Sequence, residues 1–470
     1  MPIVTSVRTI ARSWSLPATL TYCLLFSMAV ETPFGIHPAQ AAVQDSEPLA
    51  PPSANRLQPA RFQMALPSSS NNGALHYQRA LLFLAAVEDK QQQLLNKPIW
   101  EIVNTDTTAE EIAAINNLLI ASRHAIRSAL IGAAQMQADF GTDLRQYAAT
   151  TRLPHVIPMS HLAKLVALHG MQRQAIGNWR EAAQIYLDVV RMGRHMSQQL
   201  TLAESIEAVR ILETGFHVLA DWAVRCPNTG LIGQVRAQLG AIMPYSISPA
   251  AAISREARFV QLGLTDLQHA YPDGNWAEMI LVAMDAKTSS LSPTEMRAAA
   301  RTIALKRGIP KSVFDNKESF DQYVGKKRAV NRQYYQELLA CLTLPASAAV
   351  REGARIQGKY AAKLKRLGNP KILNAGQIAA YFAAHQAEHR LTRVVLALSA
   401  HKQEGRFPKD LSSVAADFGG QLPDNPYGEG PPDYALLKEG TGMRIGYPQA
   451  TIGDVVIPKV AFEYAGSTAD

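Results

Sequence analysis

Hydrophobic residues between positions 72 and 404 recur at the three- and four-residue spacing of amphipathic helices. Helix-start signals precede several of these runs, because a Thr or Ser is followed three residues later by Glu at Thr108, Thr201 and Ser292. The last signal has Pro293 in the first helical position, where a missing N–H is harmless. The pattern predicts about ten helices joined by short loops, the first beginning near Asn72.

The pattern changes after residue 405, where short runs and glycine-rich turns replace the helical spacing. A short helix is predicted from Leu411 to Phe418, and strands are predicted at 434–437, 443–447 and 455–464. The predicted fold class is therefore mainly α: an α-solenoid-like array of helical hairpins, followed by a small C-terminal α+β module. Composition supports this prediction, since only 7% of the residues are aromatic, and sheets are rich in aromatic residues.

The N-terminal residues have the features of a secretory signal peptide. Arg8 and Arg12 precede an apolar run from Leu16 to Val30, and Ala39-Gln40-Ala41 matches the small-x-small cleavage pattern. We predict cleavage before Ala42 and a protein that is periplasmic or secreted, with no membrane span after cleavage. An uncleaved N-terminal anchor is the alternative.

The predicted organisation has four parts. The signal peptide occupies residues 1–41, and a proline- and serine-rich spacer, whose composition cannot form a core, occupies 42–71. A helical body spans 72–375. The last part, 376–470, comprises a long helix and the α+β module.

Positive charge is concentrated in one part of the chain. The net charge is +8, and the segment from 326 to 371 has a large excess of Lys and Arg over Glu. Within it Arg351, Arg355, Lys359 and Lys363 recur every four residues and would line one helix face; we call them the basic stripe. A solvated helix face explains such a stripe. The functional alternative is contact with a cell-wall polymer or an anionic lipid surface, nucleic acid being the least expected partner of an exported protein.

A second motif is His385-Gln386-Ala387-Glu388-His389, an H-x-x-E-H string. On a helix the two imidazoles share one face and could bind one zinc ion, while the glutamate activates water. Glu463 is the nearest third ligand, without a recognisable context. Chance and the polarity of a solvated helix face also explain the string, so we expect no metal here.

Other chemical signals in the sequence are few. It contains no G-x-S-x-G, no Walker A motif and no G-x-G-x-x-G leading into a helix, so we expect no cofactor. Cys226 and Cys341 could form a disulfide or remain buried thiols. Four tryptophans lie in apolar helical patterns, which favours core packing over a carbohydrate platform: Trp100, Trp179, Trp222 and Trp276.

One helix pair resembles a tetratricopeptide unit. Leu162 to Gly170 leads through Gly177-Asn178-Trp179 into Ala182-x-x-x-Tyr186, which matches the A-x3-F part of that motif. The resemblance implies two helices that cross closely at small residues, with an aromatic side chain filling the groove.

The C-terminal part resembles another family. The order of a helix, Gly405-Arg406-Phe407-Pro408, a short helix, Leu422-Pro423-Asp424-Asn425-Pro426-Tyr427-Gly428 and a β-hairpin is similar to the C-terminal module of type II secretion pseudopilins. The segment from Gly177 to Arg258 resembles uncharacterised exported proteins of planctomycete-type bacteria. Neither resemblance implies an activity.

Two functions follow from these observations. The first is an exported, non-enzymatic helical scaffold or binding protein that contacts another envelope component. The second is an envelope hydrolase whose site is assembled from residues distant in the sequence, with 385–389 as its visible candidate for a zinc peptidase. A pocket with converging His and Glu side chains would favour the hydrolase, whereas a smooth groove would favour the scaffold.

Overall fold

The computed structural model describes residues 71–88, 92–102, 108–141, 153–199, 201–271, 276–277, 291–306, 308–367 and 373–466. The predicted signal peptide and all but the last residue of the predicted spacer lie outside these residues. Within them the chain is mainly helical, with a small C-terminal module of antiparallel strands, as predicted.

The described helices have the following bounds: α1 (Gly73–Ala85), α2 (Ile99–Ile102), α3 (Ala109–Ala121), α4 (Arg123–Ala133), α5 (Val156–Ala175), α6 (Trp179–Ser197), α7 (Leu202–Arg225), α8 (Thr229–Ile242), α9 (Pro249–His269), α10 (Pro293–Lys306), α11 (Lys317–Leu342), α12 (Ala346–Arg366) and α13 (Ala375–Ala400). Short 3₁₀ helices lie at Gln93–Asn96, Lys311–Phe314, Leu411–Phe418 and Lys438–Gly440. The predicted short helix is therefore present at its predicted bounds.

The predicted helix starts are confirmed by their hydrogen bonds. Thr108 and Glu111 form a capping box at the start of α3, and Thr201 and Glu204 form another at α7. Each pair satisfies two backbone N–H groups that have no partner inside the helix. The signal at Ser292 opens α10 with the same reciprocal bonds. The apolar run predicted after Thr108 is interrupted, however, because α3 ends and α4 begins around Ser122.

Helices α5, α6 and α7 form the centre of the protein. A turn at Gly177, whose φ of +82° suits glycine, joins α5 to α6. Helix α6 packs along α7, which in turn packs against α13. The aromatic side chain of the tetratricopeptide-like pair, Tyr186, is fully buried and donates a hydrogen bond to Gln174 Oε1 (2.8 Å). The small residue that admits the ring is Gly170.

The C-terminal module contains two small antiparallel sheets. One has the strand order β1-β2-β5, and the other is the β3-β4 hairpin. Their bounds are β1 (Asp433–Leu437), β2 (Gly442–Tyr447), β3 (Ala450–Ile452), β4 (Val455–Ile457) and β5 (Val460–Tyr464). The single strand predicted at 455–464 is thus two strands. Pro458 separates them, since proline cannot donate to a strand ladder.

The module shares the main hydrophobic core with the helices, and this core extends from Ala74 to Tyr464. Helix α13 contacts α7, α8 and α12 on the helical side and β2, β4 and β5 on the other. The predicted boundary at residue 376 therefore does not separate two cores. A second, smaller core surrounds Trp276 and Phe314 between α9, α10 and α11.

Cys226 and Cys341 are both buried and free, so the disulfide alternative is not realised. The Cys341 thiol donates to the carbonyl oxygen of Ala349 (3.1 Å). Within the described part of the chain, no helix combines the length and apolar character needed to cross a bilayer.

Candidate functional site

A cavity of about 360 Å³ lies between α2, α5, α7, α13 and β5. Its volume is at the lower end of the range for small-molecule sites. Most of the polar side chains in its wall are titratable, although they come from separate segments: His161, Lys164, Arg210, Glu213, His217, Tyr381, Glu388 and Lys459.

Two carboxyl groups line this cavity, Glu213 on α7 and Glu388 on α13. Both are half-buried, and neither is hydrogen-bonded to another described residue. Burial raises the pKa of Glu213 to about 7, with the charge of Glu207 adding to it and that of Arg210 opposing it. Burial also raises the pKa of Glu388 well above its ordinary value, and the neighbouring charge of Glu213 adds to this shift. At neutral pH the pair therefore retains at least one proton.

The two internal cations of the cavity wall already have protein partners. Arg210 forms an ion pair with the buried carboxylate of Glu207 (3.1 Å). Lys164 donates its ammonium group to the carbonyl oxygen of Leu95 (2.7 Å). These contacts fix both cations, so neither is a dedicated counter-ion of the Glu213–Glu388 pair.

Two histidines of the wall are neutral at pH 7. Burial and the nearby ammonium of Lys164 lower the pKa of His161 to about 4. Burial also lowers the pKa of His217, against an opposing effect of Asp221. A neutral imidazole can accept a proton at one nitrogen and donate a hydrogen bond from the other, which suits a polar ligand.

The tryptophans differ from one another in their surroundings. Trp222 and Trp276 are 0% and 3% exposed, so their predicted core packing is confirmed. Trp179 is only half-buried, although its carbonyl oxygen accepts a hydrogen bond from the Trp222 indole (3.0 Å). Trp100 is also half-buried and lines the cavity, with its ring 5.8 Å from that of His217. For Trp100 the predicted core packing is therefore partial: the residue packs against the main core, and one-turn helix α2 also places it at a cavity wall.

The H-x-x-E-H string on α13 does not form the zinc arrangement that the sequence left as the alternative. His385 and His389 are 0% and 3% exposed and pack against the ring of Phe216, with centroid distances of 5.8 and 5.2 Å. Of the string's His and Glu residues only Glu388 lines the cavity. No group of three or more His, Cys, Asp or Glu residues in the described ranges could hold a metal ion.

The explanation of the string by a solvated helix face is also wrong for these two histidines. Among the described residues, both ring nitrogens of His385 lack a hydrogen-bond partner. The Nε2 atom of His389 lacks one too. Burial lowers the pKa of His385 to about 3, and the neighbouring His389 adds to the shift. Burial, together with the positive charge of Arg393, lowers the pKa of His389 to about 4. Both are uncharged core side chains.

The four residues of the basic stripe are exposed on α12. Arg355 forms an ion pair with Glu352 on the same helix, as the spacing suggests. Lys359 pairs with Glu337 of α11, which also accepts a hydrogen bond from Tyr360 (2.7 Å). A carboxylate from another helix therefore also balances the stripe, because α11 packs beside α12. In the described residues Arg351 and Lys363 have no acidic partner.

The sequence carried one signal of the cavity that motif searching missed. On α7, Glu207, Arg210, Glu213 and His217 recur every three or four residues, so they share one face. The rest of that helix is apolar and buried nearly all round. A line of titratable residues along a helix enclosed in a core indicates an internal polar site.

No family model, curated protein or solved structure matches this chain. The function is therefore argued from the cavity itself.

Proposed function

We propose that the protein is an exported envelope hydrolase in which Glu213 and Glu388 form the acid–base pair. The observation that carries this proposal is that two carboxyl groups from neighbouring helices line one cavity together with His161 and His217. Such convergence of Glu and His is the feature that favours a hydrolase over a smooth scaffold.

The chemistry follows from the different environments of the two carboxyls. The group with the higher pKa remains protonated and can give a proton to a leaving group, and the other can take a proton from water. Glu388 fits the first role, since burial and the charge of Glu213 both favour its neutral form. Glu213, with its pKa at about 7, is partly ionised at neutral pH and fits the second.

Export rests on the N-terminal sequence features, from Arg8 to the cleavage pattern before Ala42. The resemblances to pseudopilin modules and to exported planctomycete-type proteins support the same compartment. The location is tested by mass spectrometry of the native protein, which should begin at or near Ala42. An intact Met1 on the soluble native protein would contradict export.

Activity is tested with chromogenic esters, amides, phosphoesters and glycosides. We expect turnover of one class, with a loss of roughly 10²–10⁴-fold in both Glu213→Gln and Glu388→Gln, the usual range for an acid–base group. Glu110→Gln is the matched control, because Glu110 is exposed on α3. Wild-type turnover in both cavity variants, or no turnover of any class, would overturn the proposal.

A second candidate function is that of the non-enzymatic scaffold, favoured by a separate observation. Arg351 and Lys363 are exposed and, among described residues, lack acidic partners. These two cations could contact an anionic lipid or wall polymer. The two functions involve different surfaces and are compatible.

A further inference from the structure

The aromatic wall of the cavity bears on which bond the acid–base pair would cleave. Trp100 lines the same cavity as Glu213 and Glu388, and protein covers only part of its indole. A large flat ring beside acidic and neutral polar groups suits a ligand with one apolar face and polar edges. A sugar ring has this character, because its C–H bonds share a face while its hydroxyls project from the rim.

The polar groups of the wall suit a hydroxyl-rich ligand. Glu213 supplies a carboxyl group, and the neutral imidazoles of His161 and His217 can each accept one hydrogen bond and donate another. Arg210 binds Glu207, and Lys164 donates to the Leu95 carbonyl oxygen. The other N–H groups of these two cations can donate to sugar hydroxyls.

The serine of the wall does not suit covalent ester or amide hydrolysis. Ser160 donates its hydroxyl to the carbonyl oxygen of Ile157 (3.0 Å) and lies one turn inside α5. Its proton is therefore held by the backbone and not by a histidine base. Most glycoside hydrolases cleave the glycosidic bond with two carboxyl groups, one of which acts on water or on the anomeric carbon.

We propose that this hydrolase acts on a glycoside, whose sugar ring rests on Trp100 while Glu388 and Glu213 flank the bond that is cleaved. This inference rests on the proposed function and adds the substrate class. Because the cavity is small, we expect the end of a sugar chain, or a short glycoside, to enter it.

The reaction balances without any further reagent. Glu388 gives its proton to the glycosidic oxygen, so the bond from that oxygen to the anomeric carbon breaks and an alcohol leaves. Water adds its oxygen to the anomeric carbon and gives one proton to Glu213. The products are the alcohol and the free sugar, and proton exchange with solvent restores both carboxyls.

The test uses the full-length mature protein with methyl and 2,4-dinitrophenyl mono- and disaccharide glycosides. Methanol leaves only when its oxygen is protonated, whereas dinitrophenolate leaves without protonation. Glu388→Gln should therefore lose at least about 100-fold on methyl glycosides and less than about 10-fold on dinitrophenyl glycosides. Glu213→Gln should lose activity on both. Trp100→Ala should raise KM at least about 10-fold with a smaller change in kcat. Trp100→Phe, which keeps an aromatic ring, should raise KM less than Trp100→Ala. Trp179→Phe, which lies outside the cavity, is the matched control.

The outcomes separate the two proposals. Turnover of glycosides with this leaving-group pattern supports both. Turnover of esters or peptides instead, with the same losses in the glutamate variants, retains the hydrolase and overturns the glycoside inference. Equal losses of Glu388→Gln on both leaving groups would also contradict the assigned proton donor. No turnover of any class overturns both proposals.

Discussion

Gly170 on α5 leaves space for the ring of Tyr186 on α6: a Cβ atom at Gly170 would lie only 2.4 Å from Tyr186 Cε1. The two helices can approach each other because this position has no side chain. Tyr186 is in turn fully buried, so it has little room to move away. This contact holds together the hairpin that leads into α7 and thus into the cavity.

Replacing Gly170 with alanine should lower the free energy of unfolding by about 1–3 kcal/mol, the usual cost of overpacking a core. Urea unfolding of the full-length protein measures the change. Gly233→Ala is the matched control on α8, because a Cβ atom there meets nothing within 4 Å. The control should be neutral or slightly stabilising, since alanine favours a helix. Equal effects at both positions would argue against the close crossing.

The buried tryptophan of the central helix gives a second prediction. Trp222→Ala should cost about 3–5 kcal/mol, because its side chain is fully buried and the Trp179 carbonyl oxygen loses the indole N–H that donates to it. Trp179→Ala should cost clearly less, since that side chain is half-buried. Chemical denaturation of the two variants compares them. A larger loss at Trp179 would contradict the burial described for α6 and α7.

The buried histidines predict a loss of stability in acid. The pKa of His385 is lowered to about 3 in the folded protein, so the unfolded chain binds more protons as pH falls below the ordinary value of 6.5. The stability contribution of its neutral form is therefore lost progressively between pH 6.5 and about 3. His389 acts in the same direction.

His385→Leu should be as stable as the natural protein at pH 7 or more stable, because it removes two nitrogens without described partners. Its advantage should grow as pH is lowered to 5. His385→Ala should instead cost about 2–5 kcal/mol by leaving a cavity in the core. Thermal unfolding at both pH values measures these differences. An alanine variant as stable as the natural protein would show that the side chain is solvated after all.

The basic stripe predicts binding that depends on salt. The double change Arg351→Gln and Lys363→Gln should weaken binding to anionic lipid vesicles more than Arg355→Gln with Lys359→Gln, whose charges are already paired. Only the second pair of changes should lower the melting temperature. Binding of the natural protein should decline as salt rises, since screening shortens to about 8 Å at physiological ionic strength. If neither double change affects binding, the stripe is only a solvated surface and the prediction is wrong.

Local features of the fold could be predicted from sequence, whereas the site could not. The capping box at Thr201 and the short helix from Leu411 to Phe418 depend on neighbouring residues alone, and both are present. The cavity depends on the packing of α5, α7 and α13, which brings together His161, Glu213 and Glu388 from distant parts of the chain. Of the H-x-x-E-H string only Glu388 reaches this cavity, since its two histidines are buried in the core.

The central claim is that Glu213 and Glu388 share a cavity as an acid–base pair, and a ¹³C NMR titration of glutamate carboxyls tests it most directly. We expect one carboxyl to titrate near pH 7, since burial raises the pKa of Glu213 to about that value, and its signal should disappear in Glu213→Gln. In the same variant the pKa of Glu388 should fall, because a neighbouring negative charge is removed. A protein in which every glutamate titrates at its ordinary acidic value would contradict the account.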